Sequence, residues 1–200
     1  MVANQVELQI RSGTFDNHAL GTIGILASPV LLIESAYRYL SGLPDNTNTV
    51  FIGIVGAIYI AGWMCSAIGL RRARVTGSGS GSLAIFVVQM VGLALAGIWS
   101  LNEIFHFAAV RDGAAFRFVD AAWPLSHLFM LIVGVAVLRA DVWRGLRLAA
   151  PFICGLALPV FFVFAAAGIK DIGVLVFTSM TAAGFALLGN AVRSQEVGAR

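Results

Sequence analysis

Six long apolar runs dominate this chain and restrict what it can fold into. They cover residues 19–40, 49–70, 82–105, 121–139, 146–168 and 172–192. A helix needs about 20 mostly apolar residues to cross the hydrocarbon core of a bilayer. Barrel strands instead alternate apolar and polar residues over about 10 positions, and these continuous runs show no such alternation. The runs therefore predict an all-α integral membrane protein, a six-transmembrane-helix bundle.

The composition supports membrane residence for the whole chain. Hydrophobic residues make up 59% of it and charged residues only 12%, whereas soluble domains are about 45–50% apolar. We expect one transmembrane domain over residues 1–200 with a short N-terminal arm, 1–18, that lacks the pattern of a secretory signal. In this arm Val6, Leu8 and Ile10 alternate with polar residues. That alternation is typical of a short strand and equally of an arm lying at the membrane surface.

Arginine is distributed unevenly along the chain and predicts its orientation. The second and fourth connections and both ends of the chain are rich in it: Arg11, Arg71, Arg72, Arg74, Arg139, Arg144, Arg147, Arg193 and Arg200. Cytoplasmic loops of membrane proteins carry such an excess, so an N-in/C-in topology is expected. The net charge is +3. We interpret these arginines as residues that orient the chain and contact the lipid bilayer, and we expect no nucleic acid as partner. The predicted location is a bacterial inner (plasma) membrane.

Short connections predict that consecutive helices are antiparallel neighbours. Residues 76–82 are rich in glycine and serine and predict a flexible linker, native or engineered. Small residues recur every three or four positions at Gly53, Gly56, Gly92 and Ala96. Such spacing lets helix backbones approach closely, either inside one bundle, which we favour, or in a homo-oligomer or with another membrane-protein partner.

Two prolines interrupt the apolar runs near the middle of the membrane. Pro29 lies in the first run and Pro159 in the fifth. Proline lacks the N–H that would bond to the carbonyl four residues earlier, so each position predicts a kink. Kinks of this kind open cavities in some membrane proteins, and proline is also simply frequent in membrane helices.

Polar residues that are costly to place in a membrane gather at one depth. With the topology above, the outer half holds every residue that we assign to a ligand-binding site: Glu34, Asn102, Glu103, His106, Asp120, Trp123 and His127. Glu103 and His106 are three residues apart and share a helix face. Ionisable residues inside membrane spans are functional candidates by default. The sequence thus predicts an outer-facing pocket of histidines and carboxylates.

Three kinds of chemistry suit this set of residues. Glu103, His106 and His127 are the candidate ligands of a divalent metal such as zinc or iron. A histidine beside a carboxylate also transfers protons, and two histidines hold a haem iron. The two cysteines, Cys65 and Cys154, have no metal-binding or disulfide spacing, and we expect them to be small buried residues.

Several polar candidates also have a purely structural explanation. Asp120 fits the N-cap of the fourth helix, with Pro124 in its first turn. Glu34 is four residues from Arg38 and can pair with it. Glu103 can pair with Arg111 or Arg117, and the tryptophans suit the aromatic belt of a membrane surface.

Three functions are consistent with these observations. The preferred hypothesis is a non-enzymatic protein that binds or conducts a small molecule, an ion or a proton through the outer pocket. The second is an intramembrane metal-dependent enzyme acting on a lipid-like substrate. The third is a structural or assembly subunit of a membrane complex, docked through its small-residue faces.

Overall fold

The computed structural model describes residues 16–42, 50–105 and 114–195, and these residues are almost entirely helical. The helices, in chain order, are α1 (Asn17–Ala27), α2 (Val30–Ser41), α3 (Val50–Arg72), α4 (Ser80–Phe105), α5 (Ala114–Ala140), α6 (Leu146–Ala166) and α7 (Lys170–Arg193). α1 and α2 together make one span. The described residues therefore form six spans that are long and apolar enough to cross a membrane. The predicted fold class is confirmed.

The six spans form a closed ring in chain order. Each span packs against the next one along the chain, and α7 returns to pack against α1, α2 and α3. Neighbouring helices alternate in direction, so both ends of the described chain lie on one face of the bundle, here called the terminal face. The opposite side is called the far face. Unbroken helices suit a bilayer because every backbone polar group between their ends is paired within the helix.

Proline divides the first span as predicted. α1 begins after Asp16, whose carboxylate accepts a hydrogen bond from the Ala19 amide at 2.7 Å, and it ends at Ala27. Pro29 then precedes α2, because proline cannot donate to a carbonyl one turn upstream. The Ser28 hydroxyl donates to the Ile25 carbonyl at 2.7 Å. This bond gives the Ser28 hydroxyl a partner next to the break between α1 and α2.

Two boundaries differ from the sequence prediction. α5 starts at Ala114 rather than at 121, so Asp120 lies inside the helix and its interpretation as the N-cap is wrong. Hydropathy marks only the apolar part of a helix, whereas its hydrogen bonding continues into the polar interface. The predicted 76–82 linker is also shorter than expected, because Ser80 begins α4 and the Ser82 hydroxyl accepts from Arg71 at 3.0 Å.

Small residues bring the helices together inside this one bundle. A Cβ on Gly53 would lie 2.8 Å from the Ser100 carbonyl of α4, and one on Gly92 would lie 2.5 Å from the Ser126 hydroxyl of α5. Another close contact joins the first and last spans, where a Cβ on Gly21 of α1 would lie 2.4 Å from the Gly189 carbonyl oxygen of α7. Close backbone approach is a main source of helix association where lipid removes the hydrophobic driving force.

Gly189→Ala should destabilise the bundle, because the added Cβ would lie 2.8 Å from both the Gly21 carbonyl oxygen and the Ile25 amide nitrogen. We expect a loss of about 1–3 kcal/mol in the free energy of unfolding, the usual cost of overpacking. Unfolding by sodium dodecyl sulfate in mixed micelles, followed by circular dichroism, measures it. Gly97→Ala is the matched control, since its Cβ would meet only the Ile60 side chain, at 3.7 Å. Equal effects of the two changes would contradict the proposed contact.

Candidate functional site

A cavity of about 320 Å³ lies in the half of the bundle toward the far face. Four elements supply its walls, namely α2, α3, α4 and α5. Its lining residues are Leu31, Glu34, Arg38, Ile52, Gly56, Tyr59, Ile60, Ala96, Trp99, Ser100, Asp120 and Trp123. Small residues at Gly56, Ala96 and Ser100 leave the space, while three large aromatic side chains border it. We call it the main cavity, and its volume lies within the range of small-molecule sites.

Charges in the main cavity do not cancel. The Glu34 carboxylate accepts from Arg38 Nε at 2.7 Å, with both side chains largely buried, which confirms the pair expected from their spacing. Asp120 is exposed at the rim, and within the described ranges no cation lies at ion-pair distance from it. Among the described residues, the lining therefore carries two carboxylates and one guanidinium, a formal charge of one negative.

His127 lies directly beneath the cavity rather than in its wall. Its side chain is completely buried. The Tyr59 hydroxyl, which belongs to a cavity-lining residue, is 3.2 Å from His127 Nε2, and the Cys154 carbonyl is 3.3 Å from Nδ1. A carbonyl oxygen only accepts, so Nδ1 carries the proton and donates, while Nε2 accepts from Tyr59. Both ring nitrogens are thus satisfied without water, as the membrane interior requires.

Five aromatic rings surround His127. The ring centroids of Trp63, Trp123, Phe177 and Phe185 lie 4.8, 4.9, 5.4 and 6.0 Å from that of His127. Tyr59 stacks nearly parallel to the imidazole, with an interplanar angle of 10°. These five rings and His127, here called the His127 layer, come from α3, α5 and α7, so the layer joins three helices about midway along α5.

The structure divides the predicted site residues between several places. Glu34, Asp120 and Trp123 line the main cavity together, and His127 contacts it through Tyr59 and Trp123. Asn102 and Glu103 are fully buried in α4 and do not line it. The Glu103 side chain instead packs close to Gly53 of α3. His106 and Arg111 lie outside the described residues.

Metal binding gains no support from the part of the chain that the structure describes. No group of three or more potential ligand side chains occurs within it. His127, a candidate ligand for metal or haem, has both nitrogens in hydrogen bonds with Tyr59 and Cys154. Cys65 and Cys154 are both free; Cys154 is fully buried and Cys65 partly so.

Sequence reasoning missed the residue that links the cavity to His127. Tyr59 is a hydroxyl-bearing side chain in the middle of an apolar span, and it is 2% exposed. A buried tyrosine hydroxyl needs a hydrogen-bond partner. A tyrosine in the middle of an apolar span therefore indicates a second polar group nearby. Trp99, one of the tryptophans whose position suits an aromatic belt, borders the main cavity.

Comparisons with known proteins add no function to this geometry. No protein-family model matches the chain, and no curated protein or solved structure is significantly similar to it.

Tyr59→Phe should remove the bond to His127 Nε2 and leave a buried acceptor without a donor. We expect a loss of about 1 kcal/mol in the free energy of unfolding, the usual size of such a bond. Mixed-micelle unfolding measures this loss, and nitrogen NMR of labelled histidine should report a changed Nε2 environment. Tyr39→Phe is the matched control because Tyr39 is 84% exposed. If both variants had the free energy of unfolding of the wild type, the bond between Tyr59 and His127 would not contribute to stability.

Proposed function

We propose that this integral membrane protein binds a small organic cation, with an apolar body, in the main cavity. The observation that carries the proposal is the combination of three aromatic side chains, Tyr59, Trp99 and Trp123, with the unneutralised carboxylate of Asp120 around about 320 Å³. Few polar groups in a largely apolar pocket are typical of small-molecule sites. This combination supports a binding function over a purely structural one.

Electrostatics favours a cation over an anion or a neutral molecule. Glu34 pairs with Arg38, so among the described lining residues the remaining formal charge is that of Asp120. Tryptophan and tyrosine faces attract cations with about 0.5–2 kcal/mol, the larger value applying where water is excluded. Leu31, Ile52 and Ile60 offer apolar surface for the rest of the ligand.

Ligand would enter from the far face, where Asp120 is exposed at the rim. The terminal face carries seven described arginines, namely Arg71, Arg72, Arg74, Arg139, Arg144, Arg147 and Arg193. By the positive-inside rule we assign that face to the cytoplasm and the main cavity to the outer side. A bacterial inner membrane stays the predicted location.

Benzyltrimethylammonium, a small aromatic quaternary ammonium ion, is a suitable probe for the main cavity. We expect saturable binding to the purified protein, measured by isothermal titration calorimetry and by quenching of tryptophan fluorescence. Asp120→Asn removes the net charge and should weaken binding at least about tenfold, equivalent to about 1.4 kcal/mol. The anion phenylmethanesulfonate should not bind.

Asp171→Asn is the matched control for this charge change. Asp171 is exposed near the same face, at the start of α7, and does not line the main cavity. Its variant should bind the probe with wild-type affinity. Equal loss in both aspartate variants would indicate a general surface effect, and equal binding of cation and anion would refute a cation site.

A further inference from the structure

A second, smaller cavity lies beyond the His127 layer, toward the terminal face. Its volume is about 20 Å³, and one water molecule needs at least about 10–15 Å³. Trp63 of α3, Gln89 of α4 and Met130 of α5 contribute to its lining. Arg71 and Thr76 line it at its terminal end. We call it the terminal-side cavity, and its size admits a water molecule and excludes larger solutes.

Two lining residues of the terminal-side cavity carry buried polar atoms that the described residues leave unpaired. The Gln89 side chain is 4% exposed, and within the described ranges neither its amide nitrogen nor its amide oxygen has a hydrogen-bond partner. Trp63 is 2% exposed, and its Nε1 likewise has no partner there. Because unpaired buried donors and acceptors are costly, native proteins pair nearly all of them, either with protein groups or with ordered water.

The position of the terminal-side cavity determines which of the unpaired groups a water molecule can reach. Asn17, Asn102 and Thr181 also carry buried polar atoms without a partner in the part of the chain that the structure describes. None of these three residues lines either cavity. At Gln89 and Trp63, by contrast, unpaired polar atoms and space for water occur together. Buried waters occupy polar sites of this kind, whereas wholly apolar cavities stay dry.

We infer that the terminal-side cavity binds one structural water molecule, which joins α3 to α4 through Trp63 and Gln89. An indole nitrogen only donates, so Trp63 Nε1 donates its proton to the water oxygen. The water then donates one hydrogen to the Gln89 amide oxygen. Apart from Arg71 and Thr76 at the terminal end, the remaining lining residues are apolar. Two polar partners meet the lower limit for a buried water.

This water would connect two helices that also form walls of the main cavity. Tyr59 lines the main cavity one turn before Trp63 on α3, and Ala96 lines it two turns after Gln89 on α4. A bridging water is nearly as favourable in enthalpy as a direct hydrogen bond. The water therefore stabilises the packing of α3 against α4 on the terminal side of the His127 layer. The inference does not depend on the proposed cation site, because the two cavities are separate.

Proton NMR of the full-length protein in lipid nanodiscs, with isotope-labelled tryptophan and glutamine, tests the inference. We expect magnetisation transfer from water to the Trp63 indole proton and to the Gln89 side-chain amide protons. Laboratory-frame and rotating-frame transfer are compared, because a bound water gives signals of opposite sign in the two experiments and proton exchange gives the same sign. A bridging water must give signals at both residues.

Gln89→Met removes the amide and keeps a side chain of similar length, so the water loses its acceptor. The signal from water to the Trp63 indole proton should disappear. The indole resonance of Trp143, which lines neither cavity, should stay unchanged. Asn190→Leu is the matched control, since it replaces an exposed amide of α7 that lines neither cavity, and its Trp63 signal should equal that of the wild type.

Three results would overturn the inference. The first is a wild-type protein without a water signal at Trp63. The second is a Trp63 resonance that shifts in Gln89→Met although the wild type shows no water signal, which would indicate a direct bond between the two side chains. The third is a water signal that persists unchanged in Gln89→Met. Should this variant fail to fold, the wild type decides, because a water signal at only one of the two residues excludes the bridge.

Discussion

The absence of water inside a bilayer determines how this protein is built. Every backbone polar group between the helix ends must be paired within the protein, which leaves helices as the natural solution for these six apolar runs. The same requirement acts on side chains. His127 is tolerated at full burial because Tyr59 donates to one ring nitrogen and the Cys154 carbonyl accepts from the other.

Close packing then decides where space remains. Where Gly21 meets Gly189, two helices touch through their backbones, and at Gly92 the Ser126 side chain fills the space that a Cβ would need. Elsewhere the break at Pro29 starts a new helix, α2, which carries Glu34 and Arg38 to the edge of the bundle. Small residues of α3 and α4 lie opposite Glu34 and Arg38 and leave the space between them unfilled. The main cavity is thus a consequence of a proline and of small residues placed opposite it.

Much of this arrangement was predictable because it depends on short-range patterns. Run length predicted the spans, the spacing of Glu34 and Arg38 predicted their ion pair, and Pro29 predicted the division of the first helix. The N-cap prediction for Asp120 was wrong, because α5 continues through a polar interface that hydropathy does not recognise as helix. The grouping of Glu34 with Asp120 and Trp123 depends on how α2 and α5 approach each other across the bundle.

By itself, the sequence determined the membrane-spanning class, the number of spans and the polar residues available in the far half of the bundle. These follow from composition and helical periodicity, which act within one segment. Only the tertiary structure decided that Tyr59 joins the main cavity to His127, that Glu103 packs beside Gly53, and that a second cavity lies beyond the aromatic layer. The reason is that these contacts join residues far apart in the chain, and helix rotation within the ring selects which side chains meet.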